Sequence, residues 1–246
     1  MKKAFIFFTL IGVFCPLAYA QKENRYQLEY APSKEVYVYH HYLLGQIEEK
    51  GESQAIHLQF LHKWNLSKAQ ENRYLLKEWG ERYQGTSFDL SQLGLPCPGE
   101  RVERIIDRWG RVDKVLRYPA GHRYYLNLLV FPDHPVPVGK SWEYPYKINF
   151  ELFGRSIPGS CKIIYTLDKV LNYKKHFCAK ILIEAKCQAG AENQPSIDMF
   201  WKGKAFFAID EKREIDYKLK VSWIKINPEE NYKEALNIEL YSLLEE

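Results

Sequence analysis

The chain has 246 residues, with 35 Lys and Arg against 31 Asp and Glu, a formal charge of +4, and 15% aromatic residues. That length suits one large β domain or two small ones. The nearly balanced charge, with no clustered basic run, argues against a nucleic-acid footprint.

The N-terminus reads as an export signal. Lys2 and Lys3 are followed by an apolar run over residues 4–17, then by Ala18-Tyr19-Ala20, a small-x-small cleavage pattern before Gln21. The run is short for a membrane span, and Phe14 before Cys15 fits a lipoprotein site poorly. The expectation is a signal peptide over residues 1–20 and an exported product, periplasmic or extracellular, without a lipid anchor. An uncleaved anchor is the alternative. Cleavage of 20 residues from 246 leaves 226, with 33 basic residues against 31 acidic. No second apolar run is long enough to span a bilayer. Four of the five cysteines remain: Cys97, Cys161, Cys178 and Cys187. An even count in an oxidising compartment allows two disulfides.

Residues 35–47 and 54–64 read as strands around the charged stretch Glu48-Glu49-Lys50-Gly51-Glu52, a hairpin signal. Residues 65–72 are polar and read as a loop. Residues 73–84 form a third strand, with Tyr74, Leu76 and Trp79 as core candidates. A loop over 85–99 contains Pro96-Cys97-Pro98. Residues 102–106 and 112–118 flank Asp107-Arg108-Trp109-Gly110-Arg111, spacing that suits a short hairpin with a left-handed glycine. Residues 121–130 are apolar and fit a short helix or a buried strand equally.

The stretch Phe131-Pro132-Asp133-His134-Pro135-Val136-Pro137-Val138-Gly139-Lys140-Ser141-Trp142 holds three prolines. It is unsuited to a helix interior or a central strand. It reads as a stiff extended strap between two β-rich halves, with a plain surface loop as the alternative. After it the pattern restarts. Residues 146–153 form a strand, and 161–170 and 177–187 form a hairpin. Residues 204–209 and 215–223 form another, in which Ile215, Tyr217, Leu219, Val221 and Trp223 alternate with polar neighbours. The tail over 232–244 fits a strand or, through Leu236, Leu240, Leu243 and Leu244, a helix face; the strand reading, pairing back on 215–226 through the turn at 227–231, is preferred. Ile106-Asp107 before Val112 and Ile209-Asp210 before Ile215 hint at an internal duplication.

The strap and the restart resemble a group of uncharacterised exported bacterial proteins that carry an F/L-P-D-x-P-V-x-V-G-x-S-W motif between two β-rich halves. Residues 131–142 match it, with His134 and Pro137 at variable positions. The similarity continues through Tyr165-Thr166-Leu167, Cys178-Ala179-Lys180-Ile181 and Gly203-Lys204-Ala205-Phe206-Phe207-Ala208-Ile209-Asp210. Ala205 stands where the group tends to have glycine. The resemblance covers about half the mature chain and implies a large curved antiparallel sheet, similar to periplasmic lipoprotein carriers. It brings no catalytic residues.

The candidate sites start with the cysteines. Symmetric pairing of 161–170 with 177–187 about residue 174 sets Cys161 opposite Cys187, within reach of a disulfide. By subtraction Cys97 is assigned to Cys178. Disulfides are preferred to metal binding, because there is no C-x-x-C. In the first hairpin, opposed residues sum to about 101. His41 and His62 then share a face with Tyr39, and His40 and His57 fall on the other. Two histidines with no carboxylate nearby in sequence are a weak zinc signal and read as sheet histidines. No metal or other cofactor is expected. No hydrolase or phosphate-loop motif is present, and Asp107 and Asp210 read as turn residues. Tyr37, Tyr39, Tyr42, Tyr144 and Tyr146 read as sheet packing, or as the rim of an apolar groove. Asn65-Leu66-Ser67 matches a glycosylation sequon.

The expected fold is mainly β. It is a large curved antiparallel sheet or half-barrel with little helix, in two similar halves over 21–130 and 143–246 joined by the strap. The expected role is non-enzymatic: carriage of a lipid or other apolar or amphiphilic ligand in the cell envelope. The alternative is an interaction module that contacts another envelope protein, with an enzyme third.

Overall fold

The computed structural model describes residues 24–191 and 193–245. The expected signal peptide, with Cys15, lies outside the described residues. A two-residue strand, β1 (Arg25–Tyr26), precedes a five-strand meander: β2 (Tyr37–Glu49), β3 (Glu52–Gln70), β4 (Arg73–Gly85), β5 (Arg101–Asp107) and β6 (Val112–Val115). After a crossover that includes β7 (Val136–Pro137), a six-strand meander follows: β8 (Ser141–Leu152), β9 (Arg155–Tyr173), β10 (His176–Ala189), β11 (Ser196–Ala208), β12 (Arg213–Asn227) and β13 (Tyr232–Leu244).

The two meanders form one antiparallel sheet of 11 strands, in the order β6-β5-β4-β3-β2-β13-β12-β11-β10-β9-β8. The sheet is curved and not closed. The chain enters at the middle, meanders out to the β6 edge, crosses the whole inner face, restarts at the β8 edge and returns to the middle. The seam is the β2–β13 pair, with Leu43 opposite Leu240 and Gly45 opposite Ile238. The mainly antiparallel β architecture expected from the sequence is the architecture found.

Turn chemistry explains three of the hairpins. Two-residue loops match strand twist when both residues take positive φ. Lys50-Gly51 do so at 53° and 84°, Phe153-Gly154 at 51° and 74°, and Lys174-Lys175 at 45° and 66°. In the β2–β3 hairpin Tyr39 faces His62 and His41 faces Phe60, the register that the sum of 101 gives. The Lys174-Lys175 loop on its own would set Cys161 opposite residue 188. A bulge at Asp168 shifts the register by one, so Cys187 faces Cys161. The two form a disulfide with Cα atoms 3.9 Å apart.

Several expectations need correction. The polar stretch 65–72 is mostly strand, because β3 runs on to Gln70 with Trp64 and Leu66 facing inward and Asn65 and Ser67 facing outward. The sequon residue Asn65 is tied down by donating to the carbonyls of Ser33 and Glu35. On β4 the inward positions are Leu76, Glu78 and Gly80, which turns Trp79 to the other face. Residues 121–130 are mostly irregular: a 3-10 helix covers only Arg123–Tyr125, and no strand forms. Cys97 and Cys178 are free thiols rather than a disulfide. Cys97 follows β4 and Cys178 begins β10, and the strands β3, β2, β13, β12 and β11 lie between them.

The core lies between the sheet and the crossover. Leu126, Leu129, Val130 and Phe131 are at most 5% exposed and belong to the same cluster as Ile183, Phe207, Leu219 and Trp223. The irregular crossover cannot satisfy its backbone with a ladder, so side chains and loops do it. Arg104 donates to the Leu126 carbonyl, Tyr146 Oη to that of Asn127, Tyr30 Oη to that of Leu129 and Trp142 Nε1 to that of Val130. Phe131 N donates to the Trp109 carbonyl. The strap of the sequence reading is the last part of this crossover, and its Val136-Pro137 pairs with β1.

The disulfide closes a loop of sequence separation 26. The Cys161→Ala/Cys187→Ala variant is expected to lose about 2–4 kcal/mol of stability in urea titration. Non-reducing alkylation and peptide mapping of the unfolded wild type should label Cys97 and Cys178 and leave Cys161 and Cys187 unlabelled.

Candidate functional site

A cavity of about 80 Å³ lies at the seam of the two meanders. Its sheet side is built from alternating inward residues. These include Trp64 and Leu66 of β3, Leu76 and Glu78 of β4, Arg104 and Ile106 of β5, Leu219 and Val221 of β12, and Leu240 of β13. Its roof comes from two irregular segments: Leu93, Gly94 and Leu95 of the loop between β4 and β5, and Leu126, Asn127 and Leu128 of the crossover. The loop is shaped by a 3-10 turn at Leu90–Leu93. Asp89 caps it by accepting from Ser91 N, and Gly94 ends it at φ 74°.

Two polar clusters line this apolar space. The first is Glu78, Arg104 and His62. Arg104 Nε stands 2.8 Å from Glu78 Oε2, and His62 Nε2 stands 3.4 Å from Glu78 Oε1. Burial works to raise the Glu78 carboxyl, but the Arg104 charge and the His62 contact outweigh it and hold the group below its usual range. Arg104 is 2% exposed, and its fork also donates to Gly94 O at 2.6 Å and Leu126 O at 2.9 Å. One guanidinium therefore pins both halves of the roof to the sheet.

The second cluster surrounds Glu214. Tyr30 Oη donates to Glu214 Oε1 at 2.7 Å, sharing its one proton with the longer contact to Leu129 O at 3.3 Å, and Tyr39 Oη donates to the Glu214 carbonyl at 2.8 Å. Burial pushes the Glu214 carboxyl up to about 7, against the opposing pull of the Tyr30 hydrogen bond. Tyr217 Oη and Ser242 Oγ lie 3.3 Å and 3.5 Å from the two nitrogens of His41. Burial, then the neighbouring His62, hold His41 well below its usual range, so it stays neutral. Trp201 is 5% exposed and lines the cavity, and its Nε1–H has no hydrogen-bond partner.

The sequence placed His41 and His62 on one face, and their rings are 5.2 Å apart. His40 and His57 lie on the other face. No group of three or more metal-ligating side chains occurs among the described residues. Of the five tyrosines singled out, Tyr39 lines the cavity and Tyr146 holds the crossover. Tyr37 and Tyr144 are partly buried away from the cavity, and Tyr42 faces outward opposite Tyr241. Asp107 accepts from Trp109 N and Arg111 N, and Asp210 from Glu211 N, so both are turn residues. Burial raises both free thiols to about 11, so neither Cys97 nor Cys178 is a thiolate at neutral pH.

Sequence reasoning missed Glu78, Arg104, Glu214, Tyr30 and Trp201. Two of them carried a readable signal. Leu76-x-Glu78-x-Gly80 and Val102-x-Arg104-x-Ile106 each place a charge at the inward parity of a strand.

A scan against protein-family models finds no match, and a search of curated proteins finds no relative. No helix among the described residues is long and apolar enough to cross a membrane.

Two measurements probe the clusters. Arg104→Met strands Glu78 in the interior and frees both roof carbonyls, and is expected to lose about 3–5 kcal/mol in urea titration. Adding Glu78→Met should recover only part of this, because Gly94 O and Leu126 O stay unpaired. Glu214 has a folded pKa above its unfolded one, so the fold favours its protonated form. Stability should fall as pH rises from about 4.3 towards 7, then level off. Glu214→Gln is expected to remove that component, making the variant the more stable protein at pH 8 and narrowing the difference at pH 5. An unchanged difference at the two pH values would refute the assignment.

Proposed function

We propose that this is a non-enzymatic binding or carrier protein of the cell envelope, and that its ligand is apolar or amphiphilic and lodges between the sheet and the crossover. The observation that carries this reading is the seam cavity, whose wall is largely leucine, tyrosine and tryptophan and whose polar groups gather in two clusters. Ligand sites are concave and mostly apolar, with a few placed polar groups. The partnerless Trp201 Nε1–H and the Glu214 carboxyl suit a ligand that ends in a hydroxyl or carbonyl. The export signal and the resemblance to exported β-rich proteins agree with an envelope location.

The cavity volume bounds the ligand. About 80 Å³ holds a few water molecules or a small group, and not an acyl chain. A larger ligand enters only if residues 93–95 and 126–128 lift, which breaks the two carbonyl contacts of Arg104. Binding of a lipid-sized ligand is therefore coupled to release of that pin.

The test is native mass spectrometry of the mature protein purified from its own host, followed by solvent extraction. The expected result is a stoichiometric amphiphile that denaturation releases. Leu219→Trp, which fills the cavity, is expected to lose the adduct while keeping a cooperative urea transition. A clean apo mass with no uptake of added fatty acids or phospholipids would overturn the proposal.

A further inference from the structure

The outer face of β9 to β12 sets lysine against lysine. Lys162 lies opposite Lys186. Lys202 lies opposite Lys220, and Lys204 opposite Lys218. Directly opposed like charges destabilise an antiparallel pair, and three such pairs recur in three successive rows. The register lays the rows out as Lys162, Lys186 and Phe200; Ile164, Glu184, Lys202 and Lys220; Thr166, Leu182, Lys204 and Lys218.

Six ammonium groups share three carboxylates. Lys202 pairs with Glu184 at 2.7 Å, Lys162 with Glu143 at 2.6 Å, and Lys218 and Lys220 both with Glu239 at 3.0 Å and 2.9 Å. Lys186 and Lys204 have ring contacts, with Phe200 at 5.9 Å and Phe206 at 5.8 Å. The array is open to solvent: the side chains of Lys202 and Lys220 are 79% and 69% exposed. Between the lysines stand Ile164, Leu182 and Phe200, exposed by 40%, 37% and 48%. A nearly neutral chain thus concentrates uncompensated positive charge and exposed apolar side chains on one patch. Locally unfavourable arrangements of this kind are expected where function requires them.

We infer that this face docks on an anionic lipid bilayer. The charges are spread over four neighbouring strands about 4.8 Å apart, so they match a plane of headgroup phosphates better than a single ion. The apolar side chains between them reach the interfacial layer, adding burial to charge attraction. The patch has no arginine and one exposed aromatic ring. That disfavours nucleic acid, which is held by arginine forks and stacked rings.

The experiment is flotation of the full chain with phosphatidylcholine vesicles, and with the same vesicles containing phosphatidylglycerol, at low and high salt. Binding is expected only to the anionic vesicles, with a loss of about tenfold or more at high salt. Lys186→Glu/Lys204→Glu turns two like-charge pairs into opposite-charge pairs without removing any carboxylate's partner. It is expected to keep or raise the urea midpoint while binding falls at least tenfold. Phe200→Ser should weaken binding several-fold and leave the salt dependence unchanged. Equal binding to both vesicle types, no binding to either, or full binding by the double-lysine variant would overturn the inference. So would retention on a soluble polyanion, such as heparin or duplex DNA, with no vesicle binding. The outcome is independent of the seam cavity.

Discussion

Arg104 carries the constraint on which the rest of the structure depends. Between the β6 and β8 edges the chain crosses the inner face, and over residues 123–131 its carbonyls have no strand partner. An unpaired buried carbonyl is costly. Arg104 meets two of them at once, Leu126 O on the crossover and Gly94 O on the neighbouring loop. A buried cation needs its own counter-charge, and Glu78 on the next strand supplies it at 2.8 Å. The ion pair belongs to the crossover more than to the sheet. It makes an irregular segment permissible inside a β core.

The topology then explains where the cavity lies. The first meander starts, and the second ends, at the β2–β13 seam. The sheet residues around that seam come from strands far apart in sequence, and the roof comes from two loops rather than a second sheet. Loops pack less uniformly than interdigitated strands, and their polar backbone brings polar side chains with it. Tyr30, Tyr146, Trp142 and Asn127 all hydrogen-bond to crossover or loop carbonyls. The seam is thus apolar in its wall and polar at its fastenings. Gly110 shows how closely this is fitted: a Cβ there would stand 2.6 Å from Leu129 O and 2.7 Å from the Tyr30 ring.

Local chemistry was legible in the sequence wherever it is decided locally. Alternation on β12, the register of the β2–β3 hairpin and the turn roles of Asp107 and Asp210 all follow from neighbours a few residues apart. The Cys161–Cys187 pairing was legible for a subtler reason. The two-residue loop and the bulge at Asp168 offset one another, so a symmetric count reached the right partner. The assignment of Cys97 to Cys178 was elimination alone, and sheet order overrides it. Residues 121–130 were illegible because their conformation is set by partners such as Arg104 and Tyr146 and not by their own period. Glu214 was illegible because it sits beside a bulge, where Phe207 faces Glu214 and Phe206 faces Asp216, so the simple two-residue count breaks.

The two faces of the sheet handle charge in opposite ways. On the inner face the buried charges have named partners, Arg104 held by Glu78 and two carbonyls and Lys225 by Glu234 at 2.7 Å, while Glu214 is pushed towards its neutral form. Burial there makes an unpaired charge too costly to keep, so the arrangement is fixed by the fold. On the outer face of β9 to β12 water relaxes that requirement, and single lysine pairs cost little. Folding alone therefore does not select for lysine opposite lysine, nor does it remove it. Because each pair costs a little stability and returns none, their repetition across three rows, with apolar side chains between them, calls for a cause outside the fold. A negatively charged surface with an apolar layer beneath it is the simplest environment in which all of those side chains find partners together.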